Sequence, residues 1–150
     1  MKKIDSLYLI NSDFIAVLDD YLNRFFQQNN LPDEIYENIY LAVYETLKLI
    51  ISKFNNLSNS NALKLELSYY NGNLGCQISY NHLIDIWADI ENNYNDEVIE
   101  SSLVLINKLS NSLSLLNDNS IEIMFDVIKM QNEFEQIKND ENQEYKILKN

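Results

Sequence analysis

Glycine occurs twice and proline once in these 150 residues, and that scarcity constrains the chain more than any other property of its sequence. Glycine reaches positive φ without steric cost and lets a backbone approach a ligand closely. Both copies, Gly72 and Gly75, fall in one short segment with the pattern of a hairpin. None remains for a glycine-rich loop of the kind that cradles phosphates. The lone proline stands in Leu31-Pro32-Asp33-Glu34, a helix-start signal. Proline suits a first helical turn, and the two carboxylates complement the helix dipole.

On both sides of that proline the apolar period is helical. Phe14, Val17, Leu18, Tyr21, Leu22 and Phe25 recur at three-and-four spacing, with Asp19, Asp20, Asn23 and Gln27 opposite. This predicts a first helix, capped by Asn11, Ser12 or Asp13 and stopping near Gln28-Asn29-Asn30. A short strand, Ser6-Leu7-Tyr8-Leu9-Ile10, precedes it. The second helix is expected to run to about Phe54. Its buried stripe is Ile35, Ile39, Ala42, Val43, Thr46, Leu47 and Ile50, with Leu41, Glu45 and Leu49 as a second row.

Past a polar loop at 55–61 the period changes to two. Leu63, Leu65, Leu67 and Tyr69 alternate with Lys64, Glu66, Ser68 and Tyr70; Asn71-Gly72-Asn73 turns the chain; Leu74, Cys76, Ile78 and Tyr80 return it as an antiparallel hairpin. Residues 81–95 carry Leu83, Ile84, Ile86, Trp87 and Ile90 and fit either a folded-over loop or a short helix. A helix from Asp96, with Val98, Leu105, Ile106 and Leu109 inward, leads to two more strands. Leu113 and Leu115 alternate before the turn Asn117-Asp118-Asn119, and Ile121, Ile123, Phe125 and Val127 after it. Residues 131–150, charged and amide-rich with scattered Phe134, Ile137, Tyr145, Ile147 and Leu148, read as a weak helix or a mobile tail beyond a domain of residues 1–130. This order predicts an α+β two-layer sandwich, with helices on one face of a mixed, mostly antiparallel sheet.

Size and composition agree with one globular domain: 46% of residues are apolar and 23% charged, near the globular average. The net charge of −12 arises from 23 acidic and 11 basic residues, of which only Arg24 offers a bidentate phosphate fork. Such a field repels polyanions, which argues against nucleic acid and anionic membrane surfaces and for a basic or apolar protein partner. Cys76 is the single cysteine, so no internal disulfide or cysteine-based zinc site can form, and its place in an alternating apolar run suits packing. The opening Met1-Lys2-Lys3-Ile4-Asp5 lacks the apolar core of a signal peptide. The expected compartment is the cytoplasm.

The order of elements, with Leu31-Pro32-Asp33-Glu34 ahead of Ile39-Tyr40-Leu41-Ala42-Val43-Tyr44-Glu45, resembles the anti-sigma-factor serine kinases of the histidine-kinase-type (GHKL) ATPase superfamily over roughly residues 4–129. That family carries on its second long helix a glutamate that polarises the attacking group and, four residues later, an asparagine that holds magnesium. Glu45 matches the first and Leu49 stands at the second. Leucine has no oxygen to offer magnesium. The resemblance places Tyr80 where the family has its adenine-reading aspartate, and His82 and Ile84 at its two glycines. Asp85 lies a few residues on, but Ile86-Trp87-Ala88 follows it. Where the family opens its later helix with phosphate-binding glycines, this chain has Glu100-Ser101-Ser102-Leu103.

Plainer roles compete with each of these. Glu45 without magnesium or nucleotide is a helix residue bonded to a neighbour, since a base needs a positioned reactant. A lone His82 with no second His or Cys at a metal spacing is ordinary surface. Tyr36, Tyr40 and Tyr44 form either an exposed contact stripe or packing against a neighbouring element. The pairs Asp19-Asp20 and Asp96-Glu97 are either a dock for a basic partner or a solvated face. No glycine-flanked serine elbow supports triad chemistry.

The resemblance with these departures implies a degenerate, non-catalytic, protein-binding regulator. Glu45 would be vestigial, and Leu49, Tyr80, His82, Ile84, Ser101 and Ser102 would mark a remodelled pocket, filled by Leu49, Tyr80, Ile84 and Trp87. No metal and no cofactor are expected. The family implies partners such as a sigma factor or an anti-sigma antagonist, and dimerisation through the first strand and helix. The alternatives are a divergent ATP-binding serine/threonine kinase or ATPase using Glu45, Asp85 and the two serines, and a small-ligand sensor, which needs a deep polar cavity at the same place.

Overall fold

A computed structural model describes residues 3–9, 14–54, 63–93 and 95–149. Strand β1 (Lys3–Leu9) leads to helix α1 (Phe14–Gln28), a 3-10 turn (Asp33–Ile35) and helix α2 (Tyr36–Ile51). The hairpin β2 (Leu63–Tyr70) and β3 (Asn73–Ser79) follows, then helices α3 (Leu83–Asn92) and α4 (Glu97–Leu109). A second hairpin, β4 (Ser112–Asn117) and β5 (Ser120–Asp126), runs into helix α5 (Val127–Lys149).

The five strands form one sheet in the order β1-β2-β3-β5-β4, antiparallel at every pairing. Its central strands alternate as the period of two requires. Leu63, Leu65 and Leu67, then Leu74, Cys76 and Ile78, then Ile121, Ile123 and Phe125 are buried on one face. Lys64, Glu66, Ser68, Gln77, Glu122 and Met124 stand half-buried on the other. The buried face and the inward stripes of the helices make one core, in which Phe25, Phe125, Leu18, Leu47 and Ile50 are among the largest fully buried side chains. The fold is an α+β two-layer sandwich.

The β2–β3 connection shows why one glycine sits where it does. Asn71 has φ 51° and Gly72 φ 80°, the pair of positive angles of a two-residue type I′ turn that matches strand twist. A side chain at Gly72 would be strained, and its Cβ would lie 2.9 Å from Ile128 Cδ1. The Gly72 carbonyl also accepts the Val127 amide at 2.9 Å, tying the hairpin tip to the start of α5. Gly72→Ala is expected to destabilise the domain by about 1–2 kcal/mol, the cost of a left-handed non-glycine residue, read as a lowered urea midpoint with unchanged slope.

Several boundaries and faces differ from the sequence expectation. Val17, expected inward, is 43% exposed, and Phe26 is buried instead. At about 100° per residue the buried arc of α1 is centred on Leu18 and Phe25, and Val17 falls behind it. On α4 the inward residues are Ile99, Ser102, Leu103, Ile106 and Leu109, whereas Val98 is 64% exposed. Helix α2 ends at Ile51 with a turn before Phe54. Of the two readings of 81–95, the helix is the one formed. Val127 begins α5, and Asp126 caps it by accepting the Lys129 amide at 3.0 Å. The C-terminal residues are helical to Lys149. The expected caps Asn11, Ser12 and Asp13, Ile10, and the loop at 55–61 lie outside the described residues, as do the side chains of Tyr145, Ile147 and Leu148. No helix among the described residues is long and apolar enough to cross a membrane.

Candidate functional site

Helices α2 and α4 pack side by side, and a cleft of about 390 Å³ opens between them, lined by Glu45, Lys48, Glu97, Val98, Ser101, Ser102 and Leu105. Three of the candidate pocket residues therefore meet here, Glu45, Ser101 and Ser102, beside Glu97 of the acidic pair. Glu45 projects from α2 because it belongs to the row beside the buried stripe. Ser102 sits on the inward side of α4, where a small residue lets the two helices approach. Its hydroxyl donates to Glu45 Oε2 at 2.7 Å, and Lys48, one turn along α2, places its ammonium 2.8 Å from the same oxygen. Ser101 is exposed at the mouth.

Burial pushes the Glu45 carboxyl up, but the bonds from Lys48 and Ser102 and the charge of Lys48 outweigh it, leaving the group below the ordinary carboxylate range. A carboxylate so held is ionised at neutral pH and has both its partners on the protein, which makes it a weak proton acceptor. A depressed folded-state pKa stabilises the fold above the unfolded-state pKa, and that stability is lost as pH falls through the folded value. From about pH 6 to about pH 3, urea midpoints of the parent chain are expected to fall further than those of Glu45→Gln. Parallel curves for the two proteins would contradict the pairing.

Leu49, one turn beyond Glu45, is 3% exposed and belongs to the core together with Trp87, which is 2% exposed. The place that the family resemblance assigns to a magnesium ligand is thus closed, apolar packing. Among the described residues no group of three or more His, Cys, Asp or Glu side chains converges to hold a metal ion.

Tyr80, His82 and Ile84 do not line the cleft. They lie on the connection from β3 into α3, which the β4–β5 turn holds by three bonds. The Tyr80 amide donates to the Asn119 carbonyl at 2.9 Å, the His82 amide to Asn119 Oδ1 at 2.9 Å, and the Ile84 amide to the Asp118 carbonyl at 2.9 Å. His82 adopts φ 57° and is exposed, a turn residue at the helix entry. The Tyr80 ring packs on Phe54, with centroids 4.4 Å apart. Asp85 is exposed on α3, and α3 is tied back to the end of α2 by Lys53 and Asp89 at 3.0 Å.

Sequence reasoning missed Lys48, and it placed Asn119 in a turn without its contacts to the β3–α3 connection. Lys48 carried a signal, its spacing of three from Glu45 on one helix. Asn119 carried none, because its partners are 37 and 39 residues away in the chain. The tyrosine row is resolved toward packing. Tyr36, Tyr40 and Tyr44 are half-buried and stack successively at 6.1 and 6.0 Å, with Phe14 on Tyr44 at 5.7 Å and Phe26 edge-on to Tyr36 at 5.0 Å. The Tyr36 hydroxyl donates to the Asp19 carboxylate and carbonyl. This row fastens α1 to α2.

Neither a family model nor a curated protein matches the chain.

Proposed function

We propose that this domain is a non-catalytic regulatory module that works by binding protein, built like an anti-sigma factor whose nucleotide site has been lost. The observation that carries the reading is the burial of Leu49 in the core beside a Glu45 already bonded to Lys48 and Ser102. Phosphoryl transfer depends almost wholly on positioned metal and free, preorganised polar groups. Here Leu49, which the resemblance sets at the metal ligand's place, has no oxygen to offer, and the candidate base has protein partners. The chain has no glycine left for a phosphate loop. Function then lies in a protein partner, such as a sigma factor or an anti-sigma antagonist, within the cytoplasm, and self-association through β1 and α1 belongs to the same reading.

Thermal denaturation with and without magnesium and ATP tests it. Binding at 100 times Kd would stabilise a folded protein by about 2.7 kcal/mol, which a melting curve resolves readily. No shift is expected at millimolar nucleotide. A divergent kinase or ATPase is favoured by one feature, the convergence of Glu45, Ser101 and Ser102 on a single cleft. It requires a saturable shift and phosphate transfer that Glu45→Gln abolishes.

A further inference from the structure

Strand β1 completes the sheet at one edge, yet its described side chains give the core almost nothing. Its ladder with β2 is regular over seven residues, from Lys3 opposite Tyr69 to Leu9 opposite Leu63. That register turns Ile4, Ser6 and Tyr8 to the face away from the helices, opposite Ser68, Glu66 and Lys64, and there Ile4 and Tyr8 are 56% and 59% exposed. Asp5 and Leu7 take the helix side, opposite the fully buried Leu67 and Leu65. Even so, Asp5 is exposed and Leu7 only half-buried. The side chains add little to the backbone ladder: the Ser6 hydroxyl donates to Glu66 Oε2 at a long 3.4 Å, and Asp5 Oδ1 accepts the amide of its own neighbour Ser6 at 2.9 Å.

A buried polar atom without a partner lies close to the same strand. Tyr21, on the buried arc of α1, is 2% exposed, and its hydroxyl finds no hydrogen-bond partner of good geometry among the described residues. The Asp5 carboxylate and the Leu67 backbone, which face each other across the β1–β2 ladder, are among its polar neighbours. Burial first, and the Asp5 charge after it, raise the hydroxyl above the ordinary phenol range. An enclosed hydroxyl with no partner favours any state that admits water. Lifting β1 admits it and exposes little apolar surface.

We infer that β1 is a detachable strap, which leaves β2 as a unit while the rest of the domain stays folded, wets the Tyr21 hydroxyl and frees the outer edge of β2. Elements with few buried apolar contacts open at a fraction of the global unfolding free energy. Opening of this kind needs no partner and is independent of the protein-binding reading. The freed edge stays ordered, because β3 holds β2 from the other side over Lys64 to Tyr70. An unpaired edge of that length is a template for another extended segment, and the closed strap withholds it.

Hydrogen exchange of the native full chain, followed amide by amide, tests this. Successive residues of an inner antiparallel strand bond alternately to its two neighbours, so the β2 amides divide into those bonded to β1 and those bonded to β3. The β2 amides bonded to β1 and the β1 amides bonded to β2 are expected to share one protection factor, about a hundredfold or more below that of the β2 amides bonded to β3. Tyr21→Phe, which removes the unpartnered hydroxyl and keeps the ring, should raise the protection of the first group about fivefold, because opening no longer hydrates that group. A single protection class along β2 would overturn the inference, and so would a first group whose protection Tyr21→Phe does not raise.

Discussion

Leu49→Asn, which puts an oxygen ligand at the position that the resemblance assigns to magnesium, is expected to lower stability by about 3–5 kcal/mol and to gain no nucleotide affinity. Two costs add. Removing a fully buried leucine forfeits about 1.5–3 kcal/mol of apolar burial, and enclosing an amide without partners costs about 1–3 kcal/mol more. Leu49 is 3% exposed within the core, so water cannot easily satisfy the new group. Against a total stability of about 5–15 kcal/mol for a domain of this kind, the loss is large. Urea unfolding measures it. A near-neutral substitution accompanied by ATP binding would mean that the position opens onto a polar site.

Trp87→Ala has a comparable expected effect, about 3–5 kcal/mol. Helix α3 is short and enters through His82 in a left-handed conformation with no side-chain cap. Its hold on the body comes from Leu83, Trp87 and Ile90, all buried, from the Ile84 amide on the Asp118 carbonyl and from the Lys53–Asp89 pair. Removing the indole leaves a cavity at the centre of that contact, and α3 amides should lose their protection against hydrogen exchange before those of the sheet. Asp85→Ala on the exposed side of the same helix should stay within about 0.5 kcal/mol. Equal effects at the two positions would show that α3 does not cover the core as described.

The parts of the fold that were legible in the sequence are those with a strict period and local turn chemistry. The β2–β3 hairpin announces itself by alternation over Leu63, Leu65 and Leu67 and by Asn71-Gly72, whose positive φ angles make the turn. The α2 stripe from Ile35 to Ile50 is buried as its spacing requires. Legibility fails where apolar residues exceed what the core needs. Val17 and Val98 are apolar yet outside the buried arc, and Ser102 is polar yet inside it, because its small size and its bond to Glu45 suit the α2–α4 contact. Helical period alone cannot weigh a valine against a serine when tertiary contact decides.

The site was legible in part for the same reason. Glu45, Ser101 and Ser102 converge although 56 residues or more separate α2 from α4 at that point, and only the resemblance linked them. Tyr80, His82 and Ile84 were grouped with them by that resemblance, but their amides' bonds to Asp118 and Asn119 hold them on the β3–α3 connection. Those bonds connect two loops with no shared pattern in the sequence. Of the exposed carboxylates on α3 and α4, the sequence reading singled out Asp85 and the pair Asp96-Glu97.

The most direct measurement is a nitrogen-15 titration of the full chain with magnesium and ATP to millimolar concentration, following the amides of residues 45–49, 80–87 and 101–102. Saturable shifts at none of these positions are what a domain with Leu49 packed in its core and Glu45 held by Lys48 and Ser102 should give. Saturable shifts converging on the α2–α4 cleft would contradict it and return the domain to the nucleotide-binding class.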